Sequence, residues 1–253
     1  MKVFLAIGHG GSDPGATAFG MKEKDINLVI GMKCKSELER HGVDVVCSRT
    51  TDEYDPVTQE VQEANASDCD LAFAIHINAS NGKGDGSESF YYSSNEDGKR
   101  LAELCEKYVK ELGQNSRGIK IGDKLYFIRK TNMTAVLSEG AFIDNDIDNN
   151  IIDTKAEQEK FGVAYAKAIL EYSNIPYKAK TISTNTSTLP YLVKINTAEL
   201  NVRAGAGVGN KITAKVHKDE VYTIIEEKMN GKTKWGRLKS KVGWISLAYT
   251  KRI

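Results

Sequence analysis

The sequence predicts an α/β fold, a mostly parallel or mixed sheet flanked by helices, followed by a small all-β module. Three observations predict it. Short apolar runs alternate with segments of helical period over the first two thirds of the chain. Composition then changes at Ser173, and beyond it only brief β-rich runs between Gly, Asn and Lys turns remain. A length of 253 residues favours two domains. Hydrophobic residues at 40% and charged residues at 27% fit an ordinary globular protein and exclude a disordered or fibrous chain.

Val3 to Ile7 is a continuous apolar run ending in GHGG, the pattern of a buried strand feeding a turn. In Lys24 to Arg40, Ile26, Val29, Ile30 and Leu38 recur near helical spacing, and His41-Gly42 stops the helix. A strand over Val43 to Cys47 completes an opening β-α-β. The alternation continues with a helix around Val57 to Ala66, a strand at Leu71 to Ile77, a Gly/Asn-rich loop from Asn78 to Ser87 and a strand at Glu88 to Tyr92. Residues 97 to 112 read as an amphipathic helix, Leu125 to Ile128 and Ala135 to Leu137 as short strands, and Gln158 to Glu171 as a closing helix. These segments set the first domain at 1–173. The stretch SNIPYKAKTISTNTSTLP, rich in Ser and Thr with no apolar period, sets a linker at 174–190. Strand-like runs at Tyr191 to Ile195, Val221 to Glu226, Trp235 to Leu238 and Gly243 to Ile245 then predict a small antiparallel barrel over 191–253.

Charge is unevenly divided. Residues 190–253 hold 13 Lys and Arg against 5 Asp and Glu, leaving 22 against 29 in the rest of the chain. A basic module on an acidic body suits attraction to a polyanion, and a solvated basic surface is the plain alternative. Cys34, Cys47, Cys69 and Cys105 are widely spaced with no CxxC pair, the usage of free buried thiols made in a reducing compartment. The opening residues break at Gly8 and His9, too soon for a signal-peptide core, and no run is long enough for a membrane span. The expectation is synthesis in the cytoplasm without membrane insertion.

Four polar residues stand at element boundaries: His9 after the first strand, Glu23 before the first helix, His76 in the third strand and Glu139 after AVLS. Open α/β sheets gather ligand sites at the carboxyl ends of their strands, so the four can converge. Two imidazoles and one carboxylate make a catalytic zinc set with an open fourth position, and a carboxylate off the metal can move the proton of an attacking water. Singly, each also fits a structural role: a hydrogen-bonded strand-end histidine, a glutamate at a helix start, a salt bridge.

The motifs GHGGSDPGA at 8–16, EKDINL at 23–28, SRTTD at 48–52, EANASDCDLAFAIHINA at 63–79 and AVLSEGAFIDN at 135–145 occur in the order found in zinc-dependent N-acetylmuramoyl-L-alanine amidases. The chain resembles that family over roughly residues 1 to 172. The resemblance implies that His9, Glu23 and His76 bind Zn2+, that Glu139 is catalytic, and that the substrate is bacterial peptidoglycan, cut between N-acetylmuramic acid and the L-alanine of the stem peptide. Family members often carry an arginine shortly before the AN of the fourth motif, where this chain has Thr58, Gln59 and Gln62. Arg49 reads as a structural salt bridge, and Asn78 as a turn cap more than a substrate contact.

LNVRAGAGVGNKI at 200–212 and WGRLKSKVGWISLAY at 235–249 resemble bacterial SH3-like wall-binding domains. Tyr222, Trp235, Trp244 and Tyr249 can form an aromatic groove for a peptide or glycan, although in so small a barrel some of them belong to the core, and Trp244 is expected to be mainly buried. Arg203 either reads a carboxylate or ties the NVR turn to the barrel. Together these readings describe a phage endolysin that reaches the wall once the membrane has been opened, with anionic wall polymers as a further partner of the basic module. Rival readings are a host autolysin or sporulation amidase, a zinc endopeptidase cutting within the stem, and a non-catalytic wall-binding protein. Nucleic acid is not an expected partner, because the β-rich tail matches no basic recognition helix.

Overall fold

Strand β1 (Lys2–Ile7) is buried from Val3 to Ile7 and lies between two parallel neighbours, which explains its unbroken apolar run. The computed structural model describes residues 1–179 and 189–253. They divide into two units, Met1–Lys178 and Ala179–Ile253. Most of the expected linker, residues 180–188, lies outside the described residues.

In the first unit a short hairpin, β2 (Thr17–Ala18) and β3 (Met21–Lys22), leads directly into α1 (Glu23–Arg40). Then follow β4 (Asp44–Cys47), α2 (Val57–Ala66), β5 (Leu71–Asn78), β6 (Ser87–Tyr91), α3 (Glu96–Lys110), β7 (Ser116–Ile121), α4 (Tyr126–Lys130), β8 (Thr134–Phe142), α5 (Asp146–Asn149) and α6 (Lys155–Tyr172). The six-stranded sheet runs β4-β1-β5-β8-β6-β7. Its first four strands are parallel, and β6 turns antiparallel against β8, so the sheet is mixed, with helices on both faces.

Alternation along β5 and β8 sorts the core. Phe73, Ile75, Ile77 and Val136 face α1, α3 and α6. Ala72, Ala74, Ala135 and Leu137 face α2 and α4 with Val61, Ala64, Phe127 and Ile128. Leu125 to Ile128, expected as a strand, is instead the start of α4. Leu125 is its extended N-cap, and burial of Phe127 and Ile128 against α2 stabilises one helical turn where a short apolar run gave no period to distinguish the two states. The expected strand at Ala135 to Leu137 extends in both directions to Thr134–Phe142. After α6 the chain folds back, and Tyr177 stacks on His41 at 5.0 Å between ring centroids.

The second unit is all-β. Strands β9 (Tyr191–Ile195), β10 (Glu199–Arg203), β11 (Ile212–His217), β12 (Val221–Asn230), β13 (Thr233–Leu238), β14 (Trp244–Ser246) and β15 (Thr250–Arg252) form one sheet ordered β11-β10-β14-β13-β12-β9-β15. Its core is Val193, Ile195, Val202, Val216, Ile224, Leu238 and Ile245. Trp244 is buried, as the sequence led us to expect, and so is Trp235, whereas Tyr249 is exposed. The four cysteines are free thiols. Among the described residues no helix is long and apolar enough to cross a membrane.

Candidate metal centre

Parallel β1, β5 and β8 end at the same sheet edge, and that edge gathers the polar residues. His9 follows β1 in a left-handed conformation, φ 63°, which a non-glycine residue adopts rarely and mostly where the surroundings impose it. The imidazole of His76, on β5, fills the space beside Gly8, where any Cβ would come within 2.2 Å of the ring. Glu23, the first residue of α1, is buried and reaches both histidines. Its Oε2 lies 3.1 Å from His9 Nε2, and its Oε1 lies 3.0 Å from His76 Nδ1. Two backbone amides and the Asn27 side chain complete its shell, with Ile77 N donating to Oε1 at 3.0 Å, Asn27 Nδ2 to Oε1 at 3.3 Å and Ala16 N to Oε2 at 2.9 Å.

His9, Glu23 and His76 each offer a ligand atom within 4.8 Å of the others, close enough to share one ion. Two imidazole nitrogens and a carboxylate oxygen are a donor set that suits zinc and leaves room for a further ligand. The far nitrogen of His9, Nδ1, lies 2.9 Å from Asp13 Oδ2, the outer carboxylate that commonly orients a metal-binding histidine. Sequence reasoning passed over Asp13, although it stands inside the GHGGSDPGA motif four residues after His9.

Electrostatics of the metal-free site are those of a proton-holding cluster. Burial disfavours charge on His76, but the hydrogen bond with Glu23 and the nearby Glu139 carboxylate outweigh it and raise the imidazole to about 9. His9 is raised for the same reason, its burial outweighed by Glu23. Burial would lift Glu23, yet the two imidazoles hold it well below the usual carboxylate range.

Glu139, on β8, stands opposite His76 in the parallel register and is not one of the three close donors. Its Oε2 is buried and has no hydrogen-bond partner among the described residues. Burial, opposed by His76 and reinforced by Glu23 and Glu88, pushes its carboxyl up to about 7, a value suited to taking and returning a proton near neutrality.

Among the described residues Arg49 makes no ion pair. It is buried and donates to four carbonyls: Nε to Ile7 at 2.8 Å, Nη1 to Thr51 at 3.0 Å, and Nη2 to Lys24 at 2.7 Å and Gly8 at 3.3 Å. It therefore ties the end of β1 to the start of α1, the two segments that carry His9 and Glu23. Asn78 holds the start of the loop and also spans strands: its Oδ1 accepts from the Ala79 amide at 2.8 Å, and its Nδ2 donates to Glu88 Oε1 at 2.9 Å.

In the second unit a cleft of about 450 Å³ is lined by Arg203, Trp235, Ser246 and Tyr249 among others. Ser246 Oγ there is buried with no partner among the described residues, while Arg203 Nη1 donates to the carbonyl of Asn210 at 2.8 Å and so ties the NVR turn to the loop before β11.

Comparison with known proteins finds relatives of this chain, with the family match lying within the first unit. The chain is 37% identical over 185 residues to the endolysin of Bacillus phage SPP1, covering 70% of this chain and 68% of that one. It is 30% identical over 210 residues to the sporulation-specific N-acetylmuramoyl-L-alanine amidase of Bacillus subtilis, covering 81% and 78%. Among solved structures, the N-acetylmuramoyl-L-alanine amidase AmiC2 of Nostoc punctiforme superposes with a TM-score of 0.65 at 30% identity, covering 69% of this chain and 97% of that one. The catalytic domain of the amidase CwlV from Paenibacillus polymyxa gives 0.65 at 29% identity, covering 69% and 99%. The family described as N-acetylmuramoyl-L-alanine amidase matches residues 3–171, and the chain belongs to that family.

Proposed function

We propose that the first unit is a zinc amidase that cuts peptidoglycan between the lactyl group of N-acetylmuramic acid and the L-alanine of the stem peptide. The observation that carries this is the pairing of a three-donor cluster, His9, Glu23 and His76, with the unpartnered carboxylate oxygen of Glu139 one strand away. A zinc ion held by the three donors would supply Lewis acidity, making water more acidic and stabilising the oxyanion that develops on the carbonyl. Glu139 Oε2 takes the proton released as water attacks and delivers it to the leaving amide nitrogen, which departs as the free amine of L-alanine. Asp13 fixes the imidazole of His9 through its far nitrogen, and Arg49 fixes the segments that carry His9 and Glu23.

The basic β module, with its cleft at Arg203, Trp235 and Tyr249, serves as a wall-binding tether that raises the local concentration of the amidase on its substrate. Its lysine and arginine surplus suits anionic wall polymers. The similarity to a phage endolysin supports action in host lysis, after the membrane has been opened.

Digestion of purified peptidoglycan by the intact protein and by E139A, with zinc content measured in each, tests the reading. The expected result is new N-terminal L-alanine from the intact protein, and loss of cleavage with zinc retained in the variant. A different new amino terminus points to an endopeptidase, and no cleavage by zinc-loaded intact protein leaves only a binding role.

A further inference from the structure

On the sheet face that carries His76, a line of polar side chains continues past Glu139. In register, His76 of β5 is opposite Glu139 of β8, and Glu139 is opposite Glu88 of β6. Glu88 is buried and both of its oxygens are engaged: Oε1 accepts from Asn78 Nδ2 at 2.9 Å, and Oε2 accepts from Arg117 Nε at 2.9 Å, on edge strand β7. The Arg117 guanidinium lies over the Phe142 ring, 5.1 Å from its centroid, and Nη1 is 3.4 Å from the carbonyl of Asp85. Phe142 is itself fixed, since a Cβ on Gly84 would come within 2.4 Å of its ring. The row His76, Glu139, Glu88, Arg117 thus crosses four adjacent strands and ends in a cation 39% exposed at its side chain.

A solvent-exposed ion pair adds little to stability. This one is built differently: the carboxylate is buried, an amide holds its second oxygen, and an aromatic ring sets the plane of the guanidinium. Among the described residues Arg117 Nη2 has no hydrogen-bond partner. A guanidinium oriented in this way keeps donors available for a second carboxylate.

We propose that Arg117, held by Glu88, binds the free α-carboxylate of the second stem residue, beyond the L-alanine of the scissile amide. This rests on reading the site as an amidase. Strands about 4.8 Å apart place β7 about 14 Å from β5, the span of about four extended residues, and the arginine side chain reaches back over part of that distance. The reacting carbonyl then sits by His9, Glu23 and His76 while the stem runs across β8 and β6 toward Arg117. Glu88 is a positioning residue acting through Arg117.

The test uses the full-length zinc-loaded protein and two soluble muropeptides that differ only in the second stem residue, one with a free α-carboxylate and one with that carboxylate amidated. The wild type is expected to favour the free acid in kcat/KM by about ten- to hundredfold, mostly through KM. R117Q should erase that ratio, and R117K, which keeps the charge without the fork, should restore part of it. A wild type with no preference, or an R117Q that keeps the wild-type ratio, overturns the proposal while leaving the amidase reading intact. If the wild type releases L-alanine termini from neither muropeptide, the amidase reading fails and this proposal with it.

Discussion

The Nδ1 of His9 lies 2.9 Å from Oδ2 of Asp13 while Nε2 of the same ring faces Glu23 at 3.1 Å. The contact with His9 is also the main cause holding the Asp13 carboxyl below its ordinary value, so the carboxylate stays ionised beside the ring. Asp13 therefore fixes which nitrogen of His9 is presented to a metal. We expect D13N to weaken zinc affinity about ten- to hundredfold, with the fold intact, in competition with a chelator of known affinity. Unchanged affinity would mean that His9 needs no such support.

Zinc binding must displace protons. His76 is raised to about 9 and His9 is raised as well, whereas a ligating imidazole is neutral. Apparent zinc affinity should therefore climb as pH rises from about 6.5 to 9, with proton release seen as buffer-dependent heats in titration calorimetry. The metal-free protein should respond in the opposite direction. An imidazole whose pKa is raised on folding stabilises the folded state below its unfolded value near 6.5, and that stability is lost as pH rises through about 9. A metal-free Tm that stays level from pH 6.5 to 9 would contradict the His76–Glu23 pair.

Glu60 is buried on α2, where Ser48 Oγ donates to its Oε1 over a long 3.4 Å. Burial, with the Asp55 charge adding to it, pushes its carboxyl up to about 7. The folding penalty is absent below an unfolded value of about 4.5, grows up to about 7 and is constant above it. E60Q should accordingly stabilise the metal-free protein by up to about 3 kcal/mol at pH 8, with a smaller gain at pH 5. Denaturant melts at the two pH values decide it, and an equal effect at both would show that Glu60 is ionised in the fold.

Much of this organisation is legible in the sequence, for reasons particular residues make clear. Val3 to Ile7 and Leu71 to Ile77 are buried on both faces, so their apolar runs announce strands, and the strand ends carry His9 and His76. Glu139 is legible through the AVLS run before it. Short, amphiphilic pieces are not. Ser116–Ile121 is an edge strand with exposed ends and no alternation to read, and Tyr126–Lys130 is one turn decided by packing on α2. Arg49 looks like an ion-pairing residue because its sequence neighbours include Asp52 and Glu53. Only the fold shows that four carbonyls surround it. The Glu88–Arg117 pair joins residues 29 apart on neighbouring strands, a proximity set by sheet order rather than by any local pattern.

Replacing Arg49 removes donors from the carbonyls of Ile7, Gly8, Lys24 and Thr51 at once. Lysine keeps the charge but cannot reproduce the planar fork. We expect R49K to cost about 3 kcal/mol in denaturant unfolding and to lower zinc affinity together with stability, because the segments it ties carry His9 and Glu23. A loss of stability with zinc affinity unchanged would confine Arg49 to a packing role.

Residues 190–253 carry a surplus of eight positive charges, and the body carries a deficit of seven. If the β module tethers through that charge alone, sedimentation of the protein with purified cell wall should weaken steeply as salt rises from about 50 to 500 mM, because screening shortens with ionic strength. If the cleft at Arg203, Trp235 and Tyr249 contributes specific contacts, a salt-resistant fraction should persist. Tyr249 is exposed at the cleft, so Y249A should remove that fraction without unfolding the module. Binding that resists salt in both the wild type and Y249A would place the wall contact elsewhere on the module, and binding abolished by salt in the wild type would leave charge as its sole basis.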